Sequence, residues 1–111
     1  MEIFKIIAAL ATVATGLYSL AAPLKVREFT GLELPGGRGI TEVRAVLGGF
    51  FIALGAAPLI FQSADMYLML GIAYLAVGAV RAVSMFVDQS LVQSNFISLA
   101  VEIVLGIVLV L

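Results

Sequence analysis

The sequence predicts an all-α fold, a transmembrane four-helix antiparallel bundle formed by a single domain over residues 1–111. Three observations carry this expectation. Hydrophobic residues make up 63% of the chain and charged residues 12%, with a mean hydropathy of +1.22, far from the balance of a water-soluble domain. The apolar residues fall into long runs, and at roughly 20 residues per crossing of a hydrocarbon layer about 30 Å thick the chain holds about four spans with short connections. Within those runs the small and polar residues recur at helical spacing.

The first helix is expected over about residues 3–22, ended by Pro23, because proline disfavours helix in the residue before it. Met1 to Lys5 followed by an apolar stretch, with Ala21-Ala22-Pro23 after it, has the outline of a signal peptide. The stretch is nevertheless as long as a full span, so a retained helix is the expectation. Thr12, Thr15, Gly16 and Ser19 fall on one weakly polar stripe of small residues, which should face other helices.

Residues 23–41 read as the one long connection, with Lys25, Arg27, Glu28, Glu33, Arg38 and the turn Pro35-Gly36-Gly37. Leu24, Val26, Phe29, Leu32 and Leu34 interleave with those charges, as in a short helix or strand-like segment lying in the membrane interface. The second helix is expected over about residues 41–61, with Thr41 as N-cap and Glu42 at its positive end. Gly49, Ala53 and Ala57, four residues apart, are its expected contact surface for another helix, within the molecule or across a dimer.

The third helix, about residues 66–87, carries Tyr67, Tyr74, Arg81 and Asp88 at seven-residue intervals. Seven residues drift only about 20° around a straight helix, so these form one stripe, flanked by Gly71, Gly78 and Met85. The fourth, about residues 91–111, places Ser94, Ser98, Glu102 and Gly106 on a second polar line that should point inward.

Antiparallel threading gathers Glu42, Arg44, Arg81 and Asp88 on one side of the membrane, with Glu102 deeper. An unpaired charge at mid-helix costs roughly 2.5–3.5 kcal/mol on insertion scales, so pairing is expected. The sequence therefore predicts a buried Arg44/Arg81/Glu102 network closed by Glu42 and Asp88, acting as a helix clamp. The alternative is a proton- or ligand-binding carrier using Glu102 and Arg81, with Thr12, Thr15, Tyr67, Tyr74, Ser94, Asn95 and Ser98 lining a pocket.

The chain has neither cysteine nor histidine, which removes disulfides, thiol chemistry and the usual haem and zinc ligands. No metal site is expected and no cofactor is predicted, although a lipid or quinone slot between helices is compatible with the composition. Without histidine or cysteine, and with no nucleophile–base spacing, an enzyme is the least supported class. A net charge of −1 offers no nucleic-acid footprint. The expected partners are membrane lipid and either further copies of the chain or a larger membrane complex. Lys25, Arg27 and Arg38 fall on the side of the 23–41 connection, so the positive-inside rule puts that connection in the cytoplasm and both termini outside.

The run Glu42-Val43-Arg44-Ala45-Val46-Leu47-Gly48-Gly49, followed by Arg81, Asp88 and a glutamate in the last helix, resembles a bacterial family of small four-helix integral membrane proteins known as domain of unknown function 4345. The resemblance spans nearly the whole chain and implies the same fold in the bacterial inner membrane. It departs at Leu47, where the family often has an aromatic residue, and at Gln89, where it often has glycine after the aspartate.

Overall fold

The computed structural model describes residues 2–111. Every regular element among them is helical: α1 (Glu2–Ala21), α2 (Pro23–Thr30), α3 (Gly36–Glu42), a π-helical stretch (Val43–Phe50), α4 (Phe51–Phe61), α5 (Ala64–Val87) and α6 (Gln93–Val110). Four stretches are long and apolar enough to cross a membrane: Ile3–Ala21, Gly36–Phe61, Ala64–Val87 and Gln93–Val110. Large side chains such as Ile60, Phe61, Phe86 and Val87 are each at least two-thirds exposed. Water would penalise such surface, and hydrocarbon does not. The chain divides into two compact units, one of residues 9–62 and one of residues up to Ala8 together with Ser63–Leu111.

In the first unit α1 packs against the helix that begins at Gly36. A Cβ on Gly16 would lie 2.7 Å from the Gly48 carbonyl oxygen, and one on Gly55 would lie 2.5 Å from the Ala9 carbonyl oxygen. The contacts thus run in opposite order along the two helices, which approach backbone to backbone. Thr12 and Ser19 on α1 are buried, as their stripe requires, whereas Thr15 is exposed. The hydroxyls of Thr15 and Ser19 donate to the carbonyls of Ala11 and Thr15, so neither needs a partner from outside the helix.

The connection expected over residues 23–41 is mostly helical, and only residues 31–35 are irregular. Pro23 ends α1 but also opens α2, because its fixed φ suits the first turn of a helix and its missing N–H costs nothing there. Gly31 then stops α2 at φ 78°, a left-handed conformation open to glycine, with its N–H on the Arg27 carbonyl at 2.8 Å. Thr41 is not an N-cap, since α3 already starts at Gly36 behind Pro35. The paired glycines that read as a turn supply the sharp entry, Gly36 at φ 63°, and then continue as helix.

Gly49 and Ala53 are exposed and Ala57 is half-buried, whereas Gly48 and Gly55 are buried. The surface that meets α1 is therefore the neighbouring stripe of Gly48, Ile52 and Gly55. Both stripes carry glycine, and spacing alone does not choose between them.

In the second unit α5 and α6 form a helical hairpin. Ser63 caps α5, its hydroxyl accepting the Met66 N–H at 3.3 Å. Gly71 meets Leu109 and Val110, Gly106 meets Leu75, and Gly78 lies against Glu102 and Ile103, so these contacts also run in opposite order. Gly71, Gly78 and Met85 are all buried on α5, as are Glu102, Gly106 and Leu109 on α6. The hairpin turn is closed by a left-handed cap at Gln89, φ 53°, with the Gln89 N–H on the Phe86 carbonyl and the Ser90 N–H on the Met85 carbonyl. This is a Schellman arrangement. Glycine takes that conformation with less strain, which gives a physical sense to the glycine expected at this place from the resemblance.

Candidate functional site

The ionic centre of the second unit is built from three side chains of the α5–α6 hairpin. Arg81 sits about a turn and a half before the end of α5, and Glu102 sits in the middle of α6. The guanidinium meets the carboxylate side-on: Nε donates to Oε1 at 2.8 Å and Nη2 to Oε2 at 2.8 Å. Nη1 donates to Asn95 Oδ1 at 3.0 Å, and Asn95 Nδ2 donates in turn to the Ser90 carbonyl at 2.8 Å. A bidentate fork fixes both the separation and the rotation of two helices, because the planar group tolerates little sliding. Asn95 extends that restraint into the turn, holding the start of α6 to the end of the connection.

Glu102 is only 8% exposed, whereas the Arg81 side chain keeps 30% of its surface accessible. The carboxylate is thus enclosed and the guanidinium lies at the edge. Gly78 lies beside the pair: a Cβ there would stand 3.6 Å from the Glu102 Cβ, an ordinary contact distance.

Three members of the expected network have other roles. Arg44 is exposed and donates from Nε to the Leu20 carbonyl at 3.1 Å. That carbonyl lies in the last turn of α1, where backbone oxygens lack intrahelical partners and the helix dipole favours a cation. No basic residue occupies that turn of α1 itself, so Arg44 supplies one from the π-helical stretch. Glu42 pairs with Arg38 one turn earlier, and both are well exposed. Asp88 is exposed and has no side-chain partner among the described residues. Across the described residues the ion pairs are Arg38–Glu42 in the first unit and Arg81–Glu102 in the second, the latter with an amide beside it.

Of the expected pocket residues, Thr12 and Tyr67 are buried, Tyr74, Ser94 and Ser98 are half-buried, and Thr15 is exposed. Asn95 alone among them lines the cleft that opens beside Arg81. This cleft has a volume of about 530 Å³, with Val77 and Val80 on its apolar side and Arg81, Ser84, Asp88 and Asn95 on its polar side. The role of Asn95 as a partner of Arg81 had one sequence signal, an amide in the first turn of a helix that follows a short connection.

Four membrane-length apolar helices, with their innermost carboxylate paired across a hairpin, define an integral membrane protein. The chain belongs to the family described as a domain of unknown function (DUF4345), which matches residues 1–111. No curated protein and no solved structure matches it significantly.

Proposed function

We propose that the protein is a non-catalytic structural or accessory component of a bacterial inner membrane, its four spans assembled as an antiparallel bundle. The observation that supports this reading is the Arg81–Glu102 fork. Every hydrogen bond made among the three groups at the ionic centre joins α5, α6 or their connection. A carboxylate held by two charge-assisted bonds is committed to the hairpin, because moving it would break both contacts at once.

Glu102→Gln separates this reading from a proton-coupled carrier. The expected result is a lower melting temperature in detergent together with unchanged proton-coupled flux in liposomes. Loss of flux at unchanged stability would replace the clamp with a carrier. Purification in mild detergent should yield a homo-oligomer or a co-purifying membrane complex, and a single free monomer would remove the accessory role.

The charges of α2 and α3 favour a cytoplasmic placement for residues 23–41, with both termini outside. Single cysteines at Gly36 and at Ser63 test it, since the chain has none of its own. A membrane-impermeant thiol reagent added to whole cells should label the Ser63 position and spare the Gly36 position; the reverse pattern would invert the topology.

A further inference from the structure

The cleft beside Arg81 combines features that the clamp does not use. A guanidinium carries five N–H donors, and three are engaged by Glu102 and Asn95, so two remain on a side chain that lines the cleft. Asp88 lines the same cleft two turns further along α5, about 10 Å at 1.5 Å per residue, where the apolar helix ends. Its carboxylate is exposed and unpaired among the described residues. Ser84 stands between them on the cleft wall.

The charges limit what could bind. Glu102 already balances Arg81, so with Asp88 the site carries one net negative charge. A ligand that is only anionic would meet Asp88 unfavourably, and one that is only cationic would leave the spare donors of Arg81 unused. A ligand bearing an anion at the deeper level and a cation at the outer level satisfies both. Val77 and Val80 beside these groups are 48% and 66% exposed. A second groove of about 370 Å³, lined by Ala79, Val80, Val83 and Ser84, shares Val80 and Ser84 with the first. The two grooves therefore adjoin at Val80 and Ser84, so apolar surface lies directly beside the polar wall.

We propose that this cleft binds a zwitterionic diacyl phospholipid with a primary ammonium headgroup, its phosphate on Arg81, its ammonium on Asp88 and its chains against the exposed apolar face at Val77 and Val80. A phosphate oxygen accepts the two spare guanidinium N–H groups. The primary ammonium donates to the Asp88 carboxylate and the Ser84 hydroxyl, which a trimethylated ammonium has no N–H to do. The site is separate in its test from the clamp, because Asp88 and Val80 take no part in the Arg81–Glu102 pair.

Native mass spectrometry of the purified full chain, offered equal amounts of phosphatidylethanolamine, phosphatidylcholine and phosphatidylglycerol with matched chains, reads the preference directly. Phosphatidylethanolamine should be retained about tenfold over each of the others, the scale of one charge-assisted contact. Asp88→Asn should remove that preference while the melting temperature stays where it was, and Val80→Trp should reduce retention of all three lipids. Equal retention of the three by the unsubstituted protein, or a preference that survives Asp88→Asn, would overturn the proposal. Displacement of the lipid by chainless glycerophosphoethanolamine at the same concentration would also overturn it, since the apolar face would then contribute nothing.

Discussion

Arg81→Met lowers the melting temperature of the detergent-purified protein more than any other single charge substitution, and the double variant Arg81→Met/Glu102→Leu recovers most of the loss. The reason is the asymmetry of the pair. Glu102 is 8% exposed, so removing its cation leaves a carboxylate enclosed between two helices, and breaking a buried pair from one side costs about 3–5 kcal/mol. The partial exposure of Arg81 lets water reach the site and places the expected loss toward the lower end of that range. Removing both charges leaves apolar groups of similar volume, which a helix interface in lipid accepts. Arg38→Met is the control: its pair with Glu42 is exposed on both sides, and its loss should leave the melting temperature unchanged. Thermal unfolding followed by circular dichroism measures all three. If Arg81→Met melted with the unsubstituted protein, or the double variant fell below Arg81→Met, the pair would not be the clamp.

The same pair shows how far the sequence could be read. A glutamate inside an apolar run needs a partner, and Arg81 is the long cation that the antiparallel hairpin brings within reach, so spacing and cost together point to it. The inward line of Ser94, Ser98, Glu102 and Gly106 follows from period alone, as does the buried trio of Gly71, Gly78 and Met85. Arg44 was misread for a physical reason. Its partner is a main-chain carbonyl at the end of α1, and backbone acceptors leave no mark in a list of side chains. α2 is the short helix that the interfacial pattern of residues 23–41 allowed, and Pro23 sets its start by both terminating and initiating helix. The π-helical stretch Val43–Phe50 was invisible to a reading that assumes 3.6 residues per turn, since i→i+5 bonding has no distinct residue signature.

Gly55→Ala against Gly49→Ala puts the largest packing effect to the test on one helix with one added methyl group. A Cβ on Gly55 would stand 2.5 Å from the Ala9 carbonyl oxygen and 2.9 Å from the Val13 nitrogen. Both are backbone atoms of α1, so no side-chain rotation relieves the overlap and the two helices must move apart. Overpacking of this kind costs typically about 1–3 kcal/mol, and backbone obstruction places Gly55→Ala at the upper end. At Gly49 the nearest atom to the added methyl is the Arg44 carbonyl oxygen, 4.0 Å away, which is ordinary contact. Alanine there also removes the helix penalty of glycine, about 0.8–1.0 kcal/mol in a helix interior. Gly55→Ala should therefore melt well below the unsubstituted protein and Gly49→Ala at or above it. The opposite order would mean that Gly49, Ala53 and Ala57 form the contact surface after all, and that α1 packs on the other stripe of the helix.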